Sequence, residues 1–156
     1  MNVSEPKEFK FISNVAIIIN NNRILNLKGM WDTGATTSCL DIKYLDVLNI
    51  KSTASTEYSA IGIHGNTDLY QIDLLINDCM LIHNLRIASQ DLSSNEIQFL
   101  IGMDIISLGD FSINTINNKT IGCFRYPTNH KLPHDTNDVL NKPIEILLTY
   151  KKDKEE

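Results

Sequence analysis

The stretch Met30-Trp31-Asp32-Thr33-Gly34-Ala35-Thr36-Thr37 holds the most suggestive chemistry in the chain. An apolar run ends in a carboxylate, and the carboxylate is followed by a hydroxyl, a glycine and a small side chain. Aspartate and glycine are also ordinary turn residues, so Asp-Thr-Gly alone fits a plain turn as well as a reactive loop. Other candidates are weaker. His130 and His134 have a spacing seen in zinc sites, but Pro133 breaks the helix such a pair needs, and no metal is expected. Cys39 has no evident histidine partner, which argues against a cysteine peptidase. The chain has no phosphate-binding glycine loop and no Gly-x-Ser-x-Gly elbow, and no cofactor is expected.

Asp32-Thr33-Gly34-Ala35 resembles the active-site loop of retropepsin-like aspartic proteases, the single-domain kind found outside viruses or in mobile elements. The resemblance implies that Asp32 is catalytic and that Thr33, Gly34 and Ala35 support its loop. Two carboxylates held about 3 Å apart cannot both ionise and share one proton. One then acts as base on a water while the other is the acid toward a peptide carbonyl. So close an approach requires a loop without bulky side chains, as Gly34 and Ala35 supply. Thr33 matches the family position whose hydroxyl bonds across to the partner loop.

Two further features fall in the family's order. A glycine hairpin, Ile61-Gly62-Ile63-His64-Gly65, lies about 30 residues after Asp32, where the family places a substrate-covering flap. A second marker, Leu100-Ile101-Gly102 followed by Asp104, lies about 70 residues after Asp32. Read without the family, it is an ordinary buried strand with a helix cap. The resemblance spans residues 9–126. It departs from the retroviral pattern at Met103, where an arginine is usual, and at Thr36, where that arginine finds an acid. Both are absent together, so no orphan charge remains. His64 stands where viral flaps are glycine-rich and apolar, and it reads as a solvated loop residue. Ala35 cannot donate to the aspartates as a serine or threonine would, so the expected pH optimum is weakly acidic to near neutral.

One motif supplies one aspartate. Asp135-Thr136 is followed by Asn137, lacks the glycine and cannot serve as the second. The resemblance therefore implies a C2 homodimer joined through terminal strands, with residues 111–126 or 15–27 as candidates. The implied activity is that of an aspartic endopeptidase on an extended peptide or protein. The alternative is a catalytically silent peptide-binding or oligomerisation module of the same fold.

The elements that must carry these residues read as mostly β: a retropepsin-like acid-protease barrel with one or two short helices. Residues 9–19 and 23–31 are strands joined through Asn20-Asn21-Asn22, which tolerates left-handed backbone. Strands are also expected at 57–63, 68–76, 80–88, 111–116 and 120–126. Residues 41–48 read as a helix with Ile42, Leu45 and Leu48 on one face, and 105–108 as a helix capped by Asp104 and ended by Gly109. The boundary of the protease domain is placed at 1–126. Residues 127–156 are set apart as a partly disordered extension in which only 144–150 looks capable of order.

Composition bounds the rest. The 156 residues carry a formal net charge of -5 and no basic stripe, which argues against nucleic acid. Cys39, Cys79 and Cys123 are odd in number and far apart, and they read as small buried hydrophobes rather than a disulfide framework. No signal peptide or bilayer-length apolar run is present, so no membrane is expected and the location reads as cytoplasmic.

Overall fold

Pairs of residues in the left-handed region turn the chain at its hairpins. Asn20 and Asn21 have φ of 50° and 63°, and Asn117 and Asn118 have 50° and 61°. Two left-handed residues in succession give the two-residue turn whose twist matches that of the flanking strands. The first pair joins β1 (Lys10–Ile19) to β2 (Asn22–Trp31), and the second joins β8 (Asp110–Ile116) to β9 (Lys119–Tyr126). Asn77 and Asp78, with φ of 51° and 55°, begin the three-residue connection, closed by Cys79, between β5 (Ile63–Ile76) and β6 (Met80–Gln90).

This computed structural model describes residues 10–60, 63–93, 96–127 and 144–151. The remaining elements are β3 (Cys39–Asp41), a 3-10 turn (Ile42–Tyr44), α1 (Leu45–Leu48), β4 (Ala54–Ala60), β7 (Phe99–Ile101), α2 (Met103–Ile106) and β10 (Ile144–Lys151). The strands hydrogen-bond in the order β4-β5-β6-β3-β7-β2-β1-β10-β9-β8, and β5 also pairs with β1. That extra pairing closes a circuit through β1, β2, β7, β3, β6 and β5. The expected mostly β architecture with one or two short helices is therefore present. No described helix is long and apolar enough to cross a membrane.

Within the circuit β7 lies between β2 and β3. It runs parallel to β2, with Trp31 opposite Ile101, and antiparallel to β3, with Cys39 opposite Leu100. The connection from β2 to β3 must therefore pass over the end of β7. That connection carries Asp32. Beneath it Leu40, Ile87, Phe99, Ile101 and Ile105 are fully buried. Each such side chain contributes about 1.5–3 kcal/mol relative to exposure.

Several expectations shift. Asp41 caps the 3-10 turn through Lys43 N–H, but Ile42 points outward at 54% exposure while Leu48 is buried. The second helix is Met103–Ile106, with Gly102 at its N-cap, so Asp104 sits inside the first turn and is not the cap. Strand β4 ends at Ala60 and β5 begins at Ile63, so Ile63, His64 and Gly65 of the expected hairpin belong to β5. Residues 144–151, assigned on sequence to the extension, form β10 between β1 and β9. Of the cysteines Cys39 is buried, Cys123 is half-buried and Cys79 is exposed, so Cys79 is not the buried hydrophobe expected. His130 and His134 lie outside the described residues.

Candidate active site

Asp32 is held from both sides of its peptide. Its N–H donates to the Ile101 carbonyl at 2.9 Å, and its own carbonyl accepts Ala35 N–H at 3.2 Å. The carboxylate is half-buried, and its Oδ1 accepts Gly34 N–H at 2.8 Å. Oδ2 has no hydrogen-bond partner among the described residues, which leaves one oxygen available for an external proton, water or substrate. A Cβ on Gly34 would stand 3.2 Å from Asp32 Oδ1, so the small residue at this position follows from the turn itself.

The preceding residue anchors the loop. Trp31 is buried, donates its indole N–H to Ser13 Oγ at 2.9 Å, and packs on Phe124 and Phe111 at centroid separations of 4.9 and 5.8 Å. A tryptophan satisfied at its one polar atom and packed on two rings gives the next residue little freedom.

The second marker closes against the loop from below. Met103 N–H donates to Ala35 O at 2.7 Å, and Asp104 N–H donates to Thr36 O at 3.2 Å. The first turn of α2 thus supplies its otherwise unpaired donors to the carbonyls of the Asp32 loop. A Cβ on Gly102 would lie 2.8 Å from Ala35 O and 2.9 Å from the Thr37 carbonyl carbon. Only glycine admits this approach, although its φ of -93° is available to any residue.

Asp104 completes the support. Its Oδ2 accepts Ser38 N–H at 2.8 Å, and its Oδ1 accepts the Ser38 hydroxyl at 2.6 Å and Ile105 N–H at 2.9 Å. Ser38 Oγ in turn accepts Gly102 N–H at 3.0 Å. The sequence offered no signal for Ser38, one polar residue in a Thr-Thr-Ser run.

The structure thus brings Asp32, Gly34 and Ala35 together with Ile101, Gly102 and Asp104, while Leu100 pairs with Met30 and Cys39 within the sheet. Thr33 is exposed and makes no side-chain hydrogen bond among the described residues. The glycine hairpin is not joined to this cluster by any described hydrogen bond. Ile61 and Gly62 lie outside the described residues, while Ile63, His64 and Gly65 pair through their backbones with Ala60, Ser59 and Tyr58.

Cys39 lies just past the loop, and its thiol is pushed up to about 11, first by burial and then by the charges of Asp104 and Asp32. A thiol that stays protonated is a poor nucleophile, which argues against Cys39 as the nucleophile of a cysteine peptidase. No cluster of three or more metal-ligating side chains occurs among the described residues.

Two solved structures are similar to this chain in fold. Simian foamy virus (mac) protease shares 14% identity over 62% of this chain and 91% of its own, with a TM-score of 0.45. A retropepsin-like aspartic protease from Rickettsia conorii shares 20% identity over 67% of this chain and 76% of its own, with a TM-score of 0.47. No protein-family model matches the chain, and no curated protein is similar to it in sequence.

Proposed function

We propose that the protein is an aspartic endopeptidase, active as a homodimer in which each chain contributes Asp32. The observation that carries this reading is the posture of Asp32. One carboxylate oxygen is fixed by Gly34 N–H while the other is uncommitted, on a loop seated against Gly102 and the first turn of α2. A single such carboxylate lacks the partner with which to share a proton, and a symmetry mate supplies it. The exposed Thr33 hydroxyl is free to reach the opposite loop.

In the paired site, one carboxylate takes a proton from a water and the other gives a proton to the substrate carbonyl as the water adds. The hairpin β4–β5 serves as the flap, with Ile61, Gly62, Ile63, His64 and Gly65 near its tip. The peptide lies between flap and loop as an added strand.

Both dimer candidates include an open strand edge among the described pairings. Strand β1 is paired on both sides at residues 15–18, by β2 and β5, whereas β2 meets β7 only at Gly29, Met30 and Trp31, so residues 22–27 keep an open edge among the described pairings. Among the described residues strand β8 pairs only with β9 and ends the sheet. Its exposed Ile113 and Ile116 favour it as the seam.

A fluorogenic peptide library tests the reading, with Asp32→Asn as control. Turnover that falls at least about a thousandfold in the variant supports it, as expected for loss of one member of a catalytic pair. Equal signal from both proteins, or none from either, points instead to a silent binding module.

A further inference from the structure

The hairpin β1–β2 borders a second feature, separate from Asp32. A cavity of about 350 Å³ is lined by the polar side chains of Asn14, Arg23, Asn26, Lys28, Asp78 and Gln98. Val15, Ala16 and Leu27, all buried, form its apolar part. The volume lies within the range of small-ligand sites.

The hydrogen bonds inside it are one-sided. Lys28 Nζ donates to Asn14 Oδ1 at 2.6 Å, and Arg23 Nη1 donates to Asn26 Oδ1 at 3.2 Å. Lysine and arginine only donate, so each amide must turn its oxygen to the cation and its NH2 away. Gln98 is spent as well: its Oε1 accepts Lys28 N–H at 2.8 Å, and its Nε2 donates to Tyr44 at 2.6 Å. The Asn14 carbonyl accepts Asn77 N–H at 2.8 Å. What remains are mainly donors, two amide NH2 groups, the other Lys28 protons and the rest of the Arg23 guanidinium, beside one acceptor, Asp78 Oδ2.

Charge points the same way. Arg23 is paired with Asp78 at 2.9 Å, and the Asp78 side chain is 74% exposed, so much of its field goes into water. Lys28 makes no ion pair with a described residue. In a chain of net charge -5, the charged lining residues Arg23, Lys28 and Asp78 leave this cavity with one cation in excess.

We propose that the cavity binds a compact oxyanion, a carboxylate or a phosphate group, gripped by Lys28 and the Asn14 and Asn26 amides with Arg23 at its side. Charge-assisted bonds from a cation and neutral N–H groups are the usual means of holding such groups.

The test is calorimetric titration of the full chain near neutral pH with inorganic phosphate and, separately, with succinate, in chloride at constant ionic strength. Saturable binding at about millimolar concentration or tighter is expected for at least one of them. A response to phosphate alone assigns a phosphate group, and a response to succinate alone assigns a carboxylate. Lys28→Met should weaken binding about tenfold or more, while Lys28→Arg, which keeps the charge, should stay within about threefold. Lys28 is exposed, and matched melting temperatures show that both variants fold. Absence of saturable binding to either anion, or undiminished binding in folded Lys28→Met, overturns the assignment.

Discussion

Ser38 and Asp104 are joined twice, the serine N–H to Oδ2 at 2.8 Å and its hydroxyl to Oδ1 at 2.6 Å. Ser38 has no solvent exposure, and its oxygen also receives Gly102 N–H. This pair fastens the far end of the Asp32 loop to the helix beneath it. Asp104→Ala strips both buried donors of their acceptor, and each such group costs about 1–3 kcal/mol. A loss of roughly 2–4 kcal/mol is expected, read as a lower denaturant midpoint at unchanged slope. Asp104→Asn keeps one acceptor oxygen and should lose about half as much. A change below about 0.5 kcal/mol in Asp104→Ala would show that the clamp is idle.

Cys39 gives the fold an alkaline limit. Its thiol titrates at about 11 in the folded chain, against 9.0 for a free thiol, chiefly because it is buried. Between those values the unfolded chain releases a proton that the folded chain keeps. The contribution is therefore intact below the unfolded value and lost as pH rises toward the folded one. Two units correspond to about 2–3 kcal/mol. Unfolding midpoints measured across this alkaline window should fall more steeply in the wild type than in Cys39→Ala. Parallel slopes would contradict the assignment. In the same window exposed Cys79 should alkylate well before Cys39.

Ala35 bears on the acid side of the proposed activity. Its side chain cannot donate a hydrogen bond to Asp32 as a serine or threonine would. The pH–rate profile should peak in the weakly acidic to near-neutral range, and Ala35→Ser should move its acidic limb lower. A wild-type optimum below about pH 3 would be incompatible with a carboxylate pair in this environment.

The free edge of β8 predicts how activity depends on assembly. Ile113 and Ile116 are 51% and 55% exposed on a strand with a neighbour on one side only. Replacing both by lysine sets like charges along the proposed seam, a change that natural edge strands use against pairing. Sedimentation should then report a folded monomer, and peptide cleavage should fall with it. A variant that remains dimeric and active would place the interface elsewhere.

Local chemistry was legible where one residue type settles one conformation. Asn20-Asn21 and Asn117-Asn118 announced hairpins because asparagine accepts left-handed backbone, and the structure turns at both. Asp32-Thr33-Gly34-Ala35 announced its loop, while the close approach of Ala35 and Thr37 to Gly102 appeared only in the structure. Asp104 was legible only as a helix cap within the second marker, and it proves to lie inside the first turn. Its partner Ser38 lies 66 positions away, and no local pattern encodes that distance. Ile42 was assigned to the buried face because helical periodicity assumes a regular helix, whereas a 3-10 turn rotates it outward.

The sequence by itself determined the strands, the turns between them and the one acidic loop, because propensity, periodicity and glycine act over a few neighbouring residues. Tertiary structure alone decided that β7 inserts between β2 and β3, that β10 joins β1 to β9, and that Asp78 and Gln98 line one cavity with Asn14, Asn26 and Lys28 of the β1–β2 hairpin. Strand order is chosen by which apolar faces close a common core, and that choice sums contacts across the whole chain.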